Sequence, residues 1–325
     1  LATLLQMLPA HVTPLVLSSN PDFTTQLHGV AACDRNDIWA VWQALRQSHG
    51  FIWGGGSLIQ DATSALSPVY YCALMQLAQW LGLRTIAWGQ GVGPLHRPTS
   101  RWLARQVFRG CSAISVRDPG SAKLLASWGL QPLQAPDPVW ALEAAPMPSL
   151  AELPQPRIAV SLRSHPQLTP ERLERLAQAL VTLQSQTQGV ILLIPFQAAQ
   201  DLAIAQALQQ RLPQTSQIIQ TANPRQLKGI FASAQMVIGM RLHALIMAAA
   251  EGCRCFGVSY DPKVTQLMQM LDLPGWTLAQ MPNEAAEIAR QWFQHWQTGQ
   301  PVPESKRQDL VTQTQQHQAL LVQVL

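Results

Sequence analysis

The sequence predicts an α/β protein of two doubly wound parallel-sheet domains facing each other across a cleft. Three observations predict it. The chain has 325 residues, enough for two domains that each bury a core of their own. Short apolar runs alternate with longer stretches of helical periodicity, the pattern of parallel strands joined by crossover helices. Seven prolines fall between Pro132 and Pro156, a density that suits neither a helix nor a central strand and marks a linker. The expected division is a first domain over 1–145, a linker over 146–156, a second domain over 157–300 and a terminal helix over 301–325. Each of the two domains is then Rossmann-like, with ligands expected outside the carboxyl ends of its strands.

Taken in order, strands are expected over 14–18, 51–53, 85–88 and 113–116. Pro68 opens a helix that Gly82 closes, Thr99 or Ser100 caps the next before Gly110, and a third over 120–128 stops at Gly129. The second half repeats the alternation, with strands over 158–162, 190–195, 217–219, 236–238 and 255–258. Its helices fill 170–184, 199–211, 224–233, 242–251 and 262–271, and two more follow over 283–296 and 304–325. Trp102, Trp128 and Trp140 are expected in the core. His295 and His317 sit on the last helices without visible partners. Residues 1–8 read as a helix, and the chain opens at Leu1 without an initiator methionine, so a preceding segment is expected.

Composition narrows the function. Hydrophobic residues make up 47 % and charged residues only 12 %, and the 22 Lys and Arg against 18 Asp and Glu read as scattered singly. No basic stripe with stacking aromatics is apparent, which argues against nucleic acid as a partner. An isolated arginine can still hold a small anion. The five cysteines, Cys33, Cys72, Cys111, Cys253 and Cys255, form no C-x-x-C pair and fit reduced thiols of a cytoplasmic protein. Cys253-Arg254-Cys255 could be a fragment of a metal site, but no second pair stands at ligand spacing, so no metal is expected. The longest uncharged stretch, 62–83, is broken by Pro68 and polar groups and is not a membrane span.

Five constellations could carry chemistry. In Phe51-Ile-Trp-Gly-Gly-Gly-Ser57-Leu-Ile-Gln60-Asp61 a buried strand runs into glycines, either a tight strand-to-helix turn or a loop lining the cleft with exposed amides. It lacks the Lys-Ser/Thr ending of a P-loop. Trp88-Gly-Gln90-Gly-Val-Gly-Pro94 has alternating glycines, but Pro94 and the spacing exclude the dinucleotide fingerprint. Arg117 closes the strand Ile114-Ser-Val116. It either pairs with Asp118 or offers a planar fork to a carboxylate or phosphate. Arg241 and His243 stand at the entrance of an apolar helix, where backbone amides and the helix dipole favour an anion. Alone, His243 could equally be a satisfied core histidine. Tyr260-Asp-Pro-Lys263 follows the next strand, so Lys263 is either a solvated lysine or a third cation at the same place.

The pieces GGGSLIQDATS, AWGQGVGP, ISVRDPGSAKLL, GMRLHALIMAA and VSYDPKV together resemble the polysaccharide pyruvyl transferase family, especially its bacterial CsaB-type branch. They occur in the family's order and span residues 10–275. The resemblance implies a GT-B-like pair of domains, with the first domain on the acceptor side and the second on the donor phosphate side. It implies phosphoenolpyruvate as co-substrate and a pyruvate ketal on a sugar of a cell-surface polysaccharide or its lipid-linked precursor. It places Arg117, Arg241, Leu242, His243 and Lys263 around the donor, with Arg117 facing the others across the cleft. Gly55, Gly56, Ser57, Gln90 and Tyr260 complete the expected substrate-binding set.

Ketal formation needs two sugar hydroxyls to attack C2 of the donor, a proton delivered to C3, and expulsion of phosphate. His243 is the expected phosphate donor or proton shuttle, and Asp61 the group that orients or deprotonates an acceptor hydroxyl. No redox cofactor or metal is required. The runner-up is a GT-B glycosyltransferase using a nucleotide sugar, which would need an acid for the ribose; the one nearby candidate, Glu251, lies at the far end of the helix that Arg241 and His243 open. A non-catalytic sugar- or phosphate-binding protein would keep the same anion pocket. A lipid-linked acceptor would bring the protein to the inner face of the cell membrane, with at most peripheral contact.

Overall fold

A computed structural model describes residues 1–62 and 66–325. Thr63 and Ser64 of the glycine-rich motif lie outside the described residues. The chain divides into two compact units, Leu1–Leu142 with Asp309–Leu325, and Glu143–Gln308. Both are built on parallel sheets.

Unit 1 opens with α1 (Ala2–Met7), then a separate parallel pair, β1 (Leu15–Ser18) and β2 (Ala31–Asp34), with α2 (Pro21–His28) between them. After α3 (Ile38–Gln47) come β3 (Gly50–Trp53), β4 (Gly56–Ile59), α4 (Leu66–Trp80), β5 (Arg84–Val92), α5 (Pro98–Arg109), β6 (Ala113–Val116), α6 (Pro119–Ala126) and β7 (Leu133–Gln134). The sheet order is β3-β5-β6-β7. β4 pairs with β5 beyond the end of β3, Gly56 opposite Gln90 and Ile59 opposite Val92. After Gly54 and Gly55 the chain is therefore strand again for four residues, and the expected strand-to-helix turn does not describe it. Gly56, at φ +149°, supplies the backbone freedom between the two strands.

Capping explains why these helices begin where they do. Asn20, Asp37 and Asp118 accept from first-turn amides of α2, α3 and α6. α5 differs from expectation: Pro98 is its first residue and Arg97 its cap, with no side-chain capping bond, so neither Thr99 nor Ser100 caps it. Trp53, Cys72, Met75, Val107, Phe108 and Trp128 form the core beneath α4, α5 and α6. Trp128 and Trp140 are buried as expected. Trp102 is not: it sits on the solvent side of α5.

Unit 2 contains β8 (Arg157–Ser161), α7 (Pro170–Thr187), β9 (Val190–Leu193), α8 (Ala198–Arg211), β10 (Ser216–Ile218), α9 (Pro224–Ala232), β11 (Met236–Gly239), α10 (Leu242–Ala250), β12 (Arg254–Ser259), α11 (Pro262–Leu271), β13 (Gly275–Thr277) and α12 (Ala285–Thr298). Its sheet runs β10-β9-β8-β11-β12-β13, parallel throughout. The chain starts at the centre, winds outward to β10, then returns to the other side of β8. That reversal puts a topological switch point between the carboxyl ends of β8 and β11, where doubly wound sheets bind ligands. On α7, Leu176, Leu180 and Leu183 recur at helical spacing and pack with Ile158, Val160 and Leu193 of the sheet. The proline-rich stretch 146–156, expected as a linker, is held by unit 2: the Arg157 guanidinium donates to the carbonyls of Leu150, Leu153 and Pro154. Cys253 and Cys255 are buried thiols, Cys255 pushed up to about 12 by burial, so the pair stays protonated. No group of three or more His, Cys, Asp or Glu that could hold a metal ion occurs among the described residues.

The last helix, α13 (Glu304–Val324), starts in unit 2 and contributes residues 309–325 to unit 1. There Leu310, Thr314, His317 and Leu321 form its buried stripe. His317, which shows no partner in the sequence, is fully tied. Its Nε2 donates to Pro136 O at 3.0 Å, which leaves Nδ1 to accept from Ser115 Oγ at 2.9 Å, and Ser115 in turn accepts from Gly89 N at 2.8 Å. Trp88 Nε1 donates to the carbonyl of the same residue. Desolvation outweighs the Pro136 carbonyl and the Asp137 charge and lowers the His317 pKa below its usual 6.5. A base with a depressed folded pKa stabilises the fold fully above its unfolded value and loses that contribution as pH falls through the folded one. Thermal unfolding of the wild type is therefore expected to drop as pH falls below about 6.5, and His317→Gln to flatten that drop. His28 and His295 are lowered likewise, so the difference between wild type and variant is the readout.

Candidate functional site

Every expected site residue lies at or just beyond the carboxyl end of a parallel strand or in the strand region leading to it. In unit 1, β6 ends at Val116 and delivers Arg117, whose amide donates to Gln90 O. Its guanidinium is nearly buried and closes on Asp137 at 2.5 Å, with a further bond to Ser57 Oγ at 3.2 Å. Asp118, the partner expected on the bland reading, instead caps α6 through Ser121 N and Ser121 Oγ. Arg117 is thus an oriented cation with a carboxylate already beside it. The Cβ that Gly91 lacks would fall 2.9 Å from Ser57 Oγ and 3.2 Å from Arg117 Nε, so glycine there keeps the space that this cluster occupies.

Two other expected site residues in unit 1 are held by their own surroundings. Gln90 is fully buried, and its amide nitrogen donates to the carbonyls of Trp53, Gly54 and Trp88. Through that nitrogen it ties the Gly54–Gly55 turn to β5, while its Oε1 is buried without a hydrogen-bond partner. Asp61 accepts from the amides of His96 at 2.8 Å and Arg97 at 2.9 Å. Desolvation raises its pKa, but those two bonds, Ser100 and the His96 charge together leave it below the usual carboxylate value. A carboxylate so held is a weak base, and Asp61 clamps the approach to α5.

Unit 2 assembles the denser cluster at its switch point. β11 ends at Gly239, opposite Ser161 of β8 and Gly257 of β12, so the segments after these three strands lie side by side. A side chain at Gly239 would come within 2.9 Å of Leu245 Cδ2; glycine lets α10 start tightly against the strand. Arg241 is the N-cap of α10 and makes no side-chain cap, leaving Leu242 and His243 in an uncapped first turn. Its guanidinium grips Asp201, Nη2 to Oδ1 at 2.5 Å and Nε to Oδ2 at 3.1 Å. Asp201 is fully buried and also holds the α8 start through Gln197 N. Lys263 lies in the first turn of α11, its amide bound to the Asp261 cap.

Sequence reasoning missed Arg163 and His165, which follow β8. Arg163 lies 4.7 Å over the Tyr260 ring and donates to Tyr260 Oη at 2.7 Å, while His165 stacks at a tilt on the same ring. Arg163 and Arg241 both donate to Gln200 Oε1 at 3.2 Å. Two guanidinium groups therefore converge where Asp201 supplies one carboxylate, and Arg163 has no acidic partner among the described residues. The signal was present: Val-Ser161-Leu-Arg163 closes a buried strand just as Ser-Val116-Arg117 does. Ser161 Oγ, at the end of β8, is buried without a hydrogen-bond partner.

The family model for polysaccharide pyruvyl transferase matches residues 1–262. The chain belongs to that family. The match takes in Arg117, Arg163, Arg241 and His243 and ends one residue before Lys263. No curated protein matches the sequence. Among solved structures, this pyruvyl transferase family member is similar to MnaA of S. aureus in a structure with UDP (TM-score 0.61, 9% identity, 96% of this chain and 87% of that one). It is similar to a putative UDP-N-acetylglucosamine 2-epimerase of Listeria monocytogenes (0.60, 9%, 93% and 82%). A UDP-glucosyltransferase of Polygonum tinctorium also matches (0.57, 13%, 99% and 94%). At such identities the likeness is one of fold: paired Rossmann-like domains of the GT-B type.

Proposed function

We propose that the protein transfers pyruvate from phosphoenolpyruvate to two hydroxyls of a sugar in a cell-surface polysaccharide or its lipid-linked precursor, forming a ketal and releasing phosphate. The observation that carries this reading is the pair of guanidinium groups, Arg163 and Arg241, that share Gln200 and one carboxylate beside the uncapped start of α10. A small donor bearing phosphate and carboxylate is the ligand such a cluster suits. Arg163, Lys263 and the first amides of α10 hold the phosphate, and Arg241, fixed by Asp201, sets the position of that helix start. His243 delivers or accepts a proton as the C2–O bonds form and the phosphate leaves. In unit 1, Arg117, oriented by Asp137 and Ser57, is a planar cation suited to a carboxylate. The wording of the motifs supports the CsaB-type branch, and five unpaired cysteines support a cytoplasmic setting.

The fold likeness favours one second reading, a nucleotide-sugar glycosyltransferase. Glu251, the acid that reading needs, is engaged with buried Lys228 at 3.2 Å, which weighs against it. Thermal-shift titration with phosphoenolpyruvate and with UDP-sugars separates the two. Release of phosphate in the presence of a glycan acceptor then tests transfer against mere binding. Arg163→Ala is expected to cost about 1.5–3 kcal/mol of donor binding, roughly tenfold to a hundredfold in affinity. An unchanged phosphoenolpyruvate titration would remove Arg163 from the site.

A further inference from the structure

Helices α3, α4 and α5 pack side by side. Val41 and Leu45 of α3 meet Leu74, Leu77 and Ala78 of α4, and Gln79 of α4 donates to Val107 O of α5. Their outer faces share an unusual composition. Leu66, Val69, Ala73 and Trp80 fall on one side of α4 at spacings of three, four and seven, and all four are exposed. Beside them Trp39, Trp80 and Trp102 are 75, 78 and 59% exposed, and Ile38 is 81% exposed. Large apolar side chains left in water on three neighbouring helices mark a contact surface.

The charges on the same face are one-sided. Arg97, Arg101, Arg105 and Arg109 stand every fourth residue along α5 and its cap, all exposed, and Arg46 extends the set on α3. The arginines that looked scattered in the sequence thus form a row once the helix is wound. None of the three helices contains Asp or Glu. The carboxylates flanking these helices in sequence are Asp34, Asp37, Asp61 and Asp118, and each accepts from backbone amides close by.

We propose that this face docks on an anionic lipid bilayer. Tryptophan side chains with apolar neighbours suit the headgroup boundary, and the arginine row meets lipid phosphates. Charge complementarity selects this occupant: a second copy of the chain would set arginine row against arginine row. No helix among the described residues is long and apolar enough to cross a membrane, so the contact is peripheral. The proposal is independent of the pyruvyl-transfer reading, because vesicle binding is measured without donor or acceptor.

The test is cosedimentation of the full chain with phosphatidylcholine vesicles, with and without phosphatidylglycerol, together with tryptophan emission. Binding is expected on the anionic vesicles with a blue shift, weakened on neutral vesicles and in high salt. Trp80→Ser with Trp102→Ser, and separately Arg101→Glu with Arg105→Glu, are each expected to weaken it roughly tenfold or more. All four side chains are exposed, and circular dichroism checks that both variants stay folded. Absence of binding to anionic vesicles overturns the proposal. So does loss of binding in the arginine variant alone, which would describe a general polyanion surface. So does concentration-dependent dimerisation that the tryptophan variant abolishes while vesicle binding stays absent.

Discussion

Asp201→Ala is expected to destabilise unit 2 by about 3–5 kcal/mol, the cost of leaving one partner of a buried ion pair without the other. Asp201 is fully buried, takes two bonds from Arg241 and also anchors the start of α8. Removing it strands a guanidinium beside Arg163, with only Gln200 between them. Urea unfolding measures the loss. Asp201→Leu combined with Arg241→Met is expected to recover most of it, since replacing both charges by apolar groups removes the unpaired one. Equal losses in the single and double variants would locate the stabilisation in the α8 cap instead of the ion pair.

His243→Ala is expected to lower turnover by about 10²–10⁴ even with phosphoenolpyruvate saturating, the range for removing a positioned proton-transfer group. Arg163→Ala differs in kind: it weakens donor binding and leaves saturated turnover largely intact. The contrast rests on their placement, His243 in the first turn of α10 and Arg163 laid over Tyr260 after β8. Initial rates of phosphate release across donor concentrations separate the two. Should His243→Ala change only the donor's KM, the residue is a phosphate ligand, and the acid lies elsewhere.

Much of the fold was legible because the signals that specify it are local. The strand expected over 113–116 and the helix over 262–271 have the observed bounds, and Pro170, Pro224 and Pro262 each open the helix expected of them. Strand-end glycines, helix entrances and an arginine closing an apolar run are also local, and they brought out Arg117, Arg241 and His243. Arg163 obeyed the same rule and was passed over. The arginine row of α5 was likewise available from a spacing of four.

The sequence by itself determined an α/β chain of two parallel-sheet units and the segments from which cations reach strand ends. Periodicity and capping involve only neighbours a turn or two away, so they survive without knowledge of the rest. Only the tertiary structure decided what each polar group faces. Arg117 meets Asp137 twenty residues on, Arg241 meets Asp201 forty residues back, and His317 meets Ser115 across 202 residues. Those partners are set by strand order and by which helix covers which strand. The same is true of Asp61, bound by the amides of His96 and Arg97, and of the short strand β4, which exists because β5 extends past Trp53 to pair with it. Electrostatic environment depends on distance through space, and a chain reversal such as the one between β8 and β11 makes that distance independent of separation along the sequence.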